Sequence, residues 1–292
     1  MRVTDGMRYA SVQQNLARLQ SQHADASRQA ATGLRIGQPS DDPIAAAELA
    51  RLQSSLDTSS AHRGAIRAVR GDAELAESTL AQAGELMSRA KEIAMQGANG
   101  SLSDDDRNAL ATEARDLKSA MLQLANTRGS KGYLFGGSQT GTAAFDANGT
   151  FQGDDAAQNV DIGASSPTAV NSSGAQAFTA AGGRDVFSDL DALASALDNN
   201  DSAATSATLD QLDVSQRQIS GERIRTGLVV GKLDTSDGVL AQLGFDLGSR
   251  QAAIGAADPF EAYSRMTVLA QSLERTVAVS RQMLDLTALW NR

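Results

Sequence analysis

Two helical stripes of small and medium side chains, one at each end, constrain this chain more than any other feature. Near the start, Val12, Leu16, Leu19, His23, Ala26 and Ala30 recur at alternating spacings of four and three. Near the finish, Met266, Leu269, Leu273, Val277, Leu284 and Ala288 follow a looser version of the same rule. Such spacings put side chains on one face of a helix, the seam that a coiled coil uses. Matching seams at both ends can pair with each other and with neighbouring copies. The pattern predicts a mainly α chain, folded back as a long antiparallel helical rod, with the layout of a building block rather than an enzyme.

What lies between the stripes divides in two. After Pro43 a helical tract carries Ile66, Val69, Ala73, Ala76, Leu80, Ala83, Met87, Ala90 and Ala94 in strict 3-4 alternation. A break is expected, if anywhere, near Ser54–Ser60; a continuous helix over 43–97 would run roughly 80 Å at about 1.5 Å per residue. Gly97–Gly100 ends it, and Ser103 with Asp104–Asp106 supplies N-cap chemistry for a helix bearing Leu110, Ala114, Leu117, Met121 and Leu124. Then composition changes. Tyr133, Phe135, Phe145, Phe151, Phe178 and Phe187 fall between 129 and 187, six of eleven aromatics, together with eleven of the 26 glycines. Short apolar bursts alternate there with turn residues, which predicts a small β-rich domain inserted between helices. Helical periodicity returns from Leu190 to Leu247, and Asp258-Pro259-Phe260-Glu261 opens the last helix with a cap, Pro at its first position and an acid in its first turn. The domains expected are terminal coiled-coil helices at 1–40 and 259–292, a helical rod at 41–130 and 188–258, and a β-rich insert at 131–187.

Charge and composition exclude several roles. The net charge of -9 lacks the cationic face of a general nucleic-acid binder. Residues 1–40 carry +3 and residues 259–292 carry +1, which leaves -13 on the body between them. Basic ends on an acidic body suit packing against neighbours, and a solvated helix face explains them equally well. There is no cysteine, hence no disulfide, thiolate metal site or cysteine nucleophile. No signal peptide is evident in the first thirty residues, and no stretch has the apolar length of a membrane span. On these grounds alone the chain reads as cytoplasmic.

Enzymatic chemistry finds little footing. The two histidines, His23 and His62, sit in helical tracts, where a triad or metal site would need partners converging on them. Gly136-Gly137-Ser138 lacks the continuation of a phosphate-binding loop. Asp104–Asp106 reads as compensation of a helix dipole, and Asp154-Asp155 as a turn. The reading requires no catalytic residue, cofactor, metal, small-molecule substrate, nucleic acid or membrane.

One segment stands out: Thr32-Gly33-Leu34-Arg35-Ile36-Gly37-Gln38-Pro39-Ser40-Asp41-Asp42-Pro43. Its glycines release the first helix, and Ser40, Asp41 or Asp42 caps the next with Pro43 at its start. Gly33, Arg35, Ile36, Pro39, Ser40, Asp41, Asp42 and Pro43 together resemble a hallmark of the flagellin superfamily, in the form borne by its hook–filament junction members. Gly132-Tyr133-Leu134-Phe135-Gly136-Gly137-Ser138-Gln139-Thr140, with Phe145 and Phe151-Gln152-Gly153-Asp154, resembles that family's passage into its outer domain. The C-terminus, ending Leu289-Trp290-Asn291-Arg292, departs from flagellin toward the junction type.

The resemblance implies a flagellin-like plan and revises the cytoplasmic assignment. Such proteins leave the cell unfolded through the flagellar export channel, without a cleaved signal, and act outside it. It implies a structural adaptor that forms a helical ring of its own copies, contacts the first hook-associated protein on one side and flagellin on the other, and is held before assembly by an export chaperone. Val12, Leu16, Leu19, Ala26, Met266, Leu269, Leu273, Val277 and Leu284 are the expected assembly face. Met283, Leu286, Leu289 and Trp290 are the expected chaperone or subunit contact, Trp290 foremost because large aromatics dominate interface energies. One stripe of small side chains poorly offsets the entropy of ordering some thirty residues, so residues 1–40 and 259–292 are expected to be disordered or loosely helical in the free subunit and to fold between neighbours. The nearer alternative is a flagellin filament subunit, and the more distant is an enzyme or adhesin displayed on the helices.

Overall fold

A computed structural model describes residues 2–163 and 167–290, with side chains left aside for 2–6, 8–9 and 283–290. Helices dominate: α1 (Arg2–Thr32), α2 (Pro43–Gly97), α3 (Asp104–Ala125), α4 (Gly174–Phe178), α5 (Val186–Asp198), α6 (Ser202–Gly255) and α7 (Pro259–Trp290). Between α3 and α4 lie β1 (Arg128–Gly129), β2 (Gly132–Tyr133), β3 (Asn159–Val160) and β4 (Thr168–Ala169). They form two antiparallel pairs, Arg128 opposite Tyr133 and Asn159 opposite Ala169. The aromatic, glycine-rich segment is therefore mostly turns and loops, with strands of two residues.

α2 is one helix of 55 residues, with no break at Ser54–Ser60. Asp42 caps it, its carboxylate accepting from the Ala45 N–H at 3.1 Å, and Pro43 occupies the first turn, where a missing N–H costs nothing. Ser103 caps α3 through the Asp106 N–H, and Asp104–Asp106 stand at the positive end of that helix dipole. Asp185 caps α5 through the Ser188 N–H.

The chain forms two compact units. The central unit runs from Ser59 to Gln242, and the terminal unit joins Met1–Thr58 to Leu243–Arg292. All nine alternating positions of α2 from Ile66 to Ala94 are buried in the central unit. Ile93, Met121, Leu190, Leu193, Leu212 and Ile219 fill the core around those from Ala76 onward, and Ile162, Val170, Leu233 and Leu240 pack on Ile66, Val69 and Ala73. Phe135, Phe145, Phe178 and Phe187 close one side of that core, with ring centroids 5.3 to 6.2 Å apart in edge-on, tilted and stacked pairs, a spacing at which aromatic pairs attract beyond simple burial. Gly149 has φ +90, and a Cβ there would stand 2.6 Å from the Phe187 ring, so the turn admits only glycine.

α6 holds the loops of this unit with a polar stripe. Gln218 donates to the carbonyls of Ala177, Thr179 and Arg184 and accepts from the Arg184 N–H. One turn on, Glu222 accepts from the Ser173 N–H at 2.9 Å, and a turn beyond that Thr226 pairs with Ser172 at 2.7 Å. One turn back, Ser215 donates to Asp189, which also binds Arg184. Segment 172–189 thus finds partners for its buried polar groups on the helix it covers.

Candidate assembly interface

In the terminal unit α1 and α7 pack against each other. The described side chains expected to form the seam are partly covered, as are several of their neighbours. Val12, Leu16, Leu19 and His23 on α1 are half-buried and Ala26 is buried; Met266, Leu269, Leu273 and Val277 on α7 are half-buried. The side chains of Leu284, Met283, Leu286, Leu289 and Trp290 lie outside the described residues. Ala26 and Ala262 are the only fully buried side chains described on either helix. α7 leaves large apolar groups in water: Phe260 is 85% exposed, and Tyr263, Val268 and Val279 are each more than half exposed. Two clefts run along the pair, one lined by Gln22, Phe260, Arg265, Val268 and Leu269, the other by Val12, Asn15, Arg275 and Val279. The pair therefore offers one seam that is half closed and, outside it, exposed apolar side chains on α7 set among charged and polar ones.

The segment from Thr32 to Pro43 folds as a tight, fully bonded connector. Gly33 takes φ +68, a left-handed conformation that ends α1 at no steric cost. Ile36 is buried, whereas Pro39 and Ser40 stand on an exposed turn. Asp41 organises that turn: its carboxylate accepts from the N–H groups of Gly37 and Gln38, each at 2.9 Å, and from Arg28 at 3.3 Å. The Gly37 amide, then the Gln38 amide and Arg28, hold the Asp41 carboxyl below its ordinary value. Arg35 donates to the Ile254 carbonyl at the end of α6 and lies 3.8 Å from Asp42.

Of the two histidines, His23 lies within the α1 seam, and His62 on α2 has Nδ1 3.3 Å from the Asp161 carbonyl. Among the described residues, no group of His, Asp and Glu is arranged to hold a metal ion, and no helix is long and apolar enough to cross a membrane. Sequence reasoning missed the cross-chain role of Arg35 and the pairing of Leu34 with Ala256. It had only one cue for them: two Asp-Pro restarts, at Asp42-Pro43 and Asp258-Pro259, flanking the place where the connectors meet.

Known proteins resemble parts of this chain. Residues 3–140 match the family described as the bacterial flagellin N-terminal helical region. Flagellar hook-associated protein 3 of Salmonella typhimurium is 32% identical over 180 residues, a match that covers 61% of this chain and 57% of that protein. The chain thus matches little more than half the length of that relative. FlgL of Bacillus cereus superposes with a TM-score of 0.62 at 20% identity, covering 69% of this chain and 99% of that one. The flagellar junction protein FlgL of Legionella pneumophila superposes with a TM-score of 0.59 at 18% identity, covering 73% of this chain and all of that one. At these identities the structural likeness is one of fold: mainly α, flagellin-like, with a small β region. Over residues 3–140 the chain is similar to the bacterial flagellin N-terminal helical region, and over 180 residues it is similar to flagellar hook-associated protein 3.

Proposed function

We propose that this chain is a structural component of the bacterial flagellum, the adaptor that joins hook to filament, and not an enzyme. The observation that carries the reading is the α1–α7 pair, whose seam is half closed while Phe260, Tyr263, Val268 and Val279 face water. Large apolar side chains also face water on α6, at Ile224, Leu228, Val239 and Phe245, and exposed apolar area of this kind marks surfaces meant to be covered. In this reading copies of the chain form a ring, the first hook-associated protein lies on the hook side and flagellin on the filament side. The domain plan that goes with it has coiled-coil ends at 1–40 and 259–292, a helical rod at 41–130 and 188–258, and an outer insert at 131–187. The subunit travels unfolded through the flagellar export channel without a cleaved signal and works outside the cell. Its ends complete their order when neighbours supply the other half of the seam. An export chaperone holds the C-terminal helix beforehand through Met283, Leu286, Leu289 and Trp290.

Electron microscopy of cells lacking the protein tests the proposal. Hooks without filaments, flagellin lost to the medium, and rescue by the intact gene are the expected outcome. Normal filaments in those cells overturn it, and long filaments grown by the purified chain alone favour a bulk flagellin instead.

A further inference from the structure

Two connectors carry the chain between helices of the terminal unit: residues 33–42 between α1 and α2, and residues 256–258 between α6 and α7. They are laced together through the main chain. The Arg35 N–H donates to the Gly255 carbonyl at 2.8 Å, and the Ala257 N–H donates to the Gly33 carbonyl at 2.9 Å. Leu34 and Ala256 thereby form an isolated antiparallel pair.

Arg35 reinforces that pair on both sides. Its Nη2 donates to the Ile254 carbonyl at 2.8 Å across 219 residues of sequence. That carbonyl lies in the last turn of α6, where no helical N–H remains to satisfy it. The Arg35 carbonyl accepts from Gln29 Nε2 on α1 at 3.2 Å. One residue therefore ties the end of α1 to the end of α6. Just beyond, α7 restarts with Asp258 accepting from the Phe260 and Glu261 N–H groups. Three of the few buried apolar side chains of this unit, Ala26, Ile36 and Ala262, belong to the last turns of α1, the first connector and the first turn of α7.

We infer that this lacing is a clasp that orders the two chain ends as one. The first turns of α7 stay helical only while residues 33–36 are docked on 254–257, and the last turns of α1 depend on the same contact. The physical reason lies in the pair itself: α1 and α7 bury too little between them to hold order independently, so the bonded end of the pair fixes the register from which the seam closes. The clasp needs no flagellar context. Failure of the junction reading leaves it standing, and its own failure leaves that reading standing.

Hydrogen exchange of the full chain, read by mass spectrometry, tests it. Arg35→Gln is expected to speed exchange about tenfold or more across residues 22–32 and 260–270, with residues 80–94 of the central unit unchanged as the folding control. A second variant reverses the effect. Leu34 and Ala256 are a non-hydrogen-bonded pair, for which Cα atoms lie ~4.5 Å apart, within the reach of a disulfide. The chain has no cysteine of its own, so Leu34→Cys with Ala256→Cys can close that bond alone. Oxidised in the Arg35→Gln background, it should restore slow exchange in 260–270, and reduced it should not. Acceleration confined to 33–42 and 254–257, or α7 exchange that stays fast after the disulfide closes, overturns the clasp.

Discussion

The terminal and central units are written in the same code and reach different degrees of closure. α1 and α2 both carry apolar and small residues at spacings of three and four. In the central unit all nine alternating positions of α2 vanish from solvent: α3, α5, α6 and the phenylalanine cluster surround those from Ala76 to Ala94, and Ile162, Val170, Leu233 and Leu240 cover Ile66, Val69 and Ala73. In the terminal unit the seam of α1 packs against α7, and the fully buried apolar side chains described there are Ala26, Ile36, Leu52 and Ala262. Periodicity thus names the face of a helix that seeks cover; the number of elements brought against it decides whether cover is complete. Local stability should follow that number, since segments with few buried contacts open at lower cost.

The sharpest way to break the comparison is to make the same kind of cut in both units. Phe145 is 1% exposed and packs against Phe151, Phe178 and Phe187, so Phe145→Ala should cost the central unit about 3–5 kcal/mol. Leu269 is only half-buried, and Leu269→Ala should cost about 1 kcal/mol or less, because much of its surface is already in water. Calorimetry of the two variants checks both values. Equal losses would show that the α1–α7 seam is a closed core.

Limited proteolysis of the intact monomer gives the next largest contrast. Cleavage that depends on transient opening tracks the free energy of that opening. Sites within 1–40 and 259–282 should be cut at least about a hundredfold faster than sites within 61–128, a gap of about 2.8 kcal/mol at tenfold per 1.4 kcal/mol. Ends as resistant as the central helices would remove the physical basis for completing them on assembly.

Much of this contrast was legible in the sequence, and the reason differs from element to element. The α2 stripe was readable because a long helix repeats its instruction at every turn, and the Ser103 and Asp258 caps because capping is local chemistry. The aromatic and glycine enrichment between 129 and 187 read as a small β-rich insert, but its strands shrink to two residues and left no alternation to find. Ser215, Gln218, Glu222 and Thr226 recur with helical spacing too. Polar side chains at that spacing ordinarily face water, so nothing local tells that these bind the loop over 172–189. Arg35 was visible only as part of a motif. Its partner at Ile254 is fixed by how the chain returns, which no neighbouring residue encodes.

Acid offers the finest test, because each unit has carboxylates held by turn amides. In the terminal unit it is Asp41, lowered by the Gly37 and Gln38 N–H groups and then by Arg28. In the central unit Asp146 is lowered first by the Thr150 N–H, and Asp154 first by the Ser138 hydroxyl and then by the Ser138 N–H. A carboxyl whose folded value lies below its unfolded value, ~4 for Asp, stabilises the fold fully above ~4 and loses that contribution as pH falls through the folded value. Both units should therefore be indifferent to pH from 7 to about 5 and loosen below about 4. The amides that donate to these carboxylates report on each turn separately. In an NMR titration, Gly37 and Gln38 should follow Asp41, while Thr150 and Ser138 follow the central turns, all with midpoints below the ordinary Asp value. Asp41→Asn should abolish the low-pH step at Gly37 and leave those at Thr150 and Ser138 in place. A Gly37 amide that titrates at the unfolded value would mean that the connector turn contributes nothing to folding. A shift at Thr150 caused by Asp41→Asn would mean that the two units share one acid transition and are not separable.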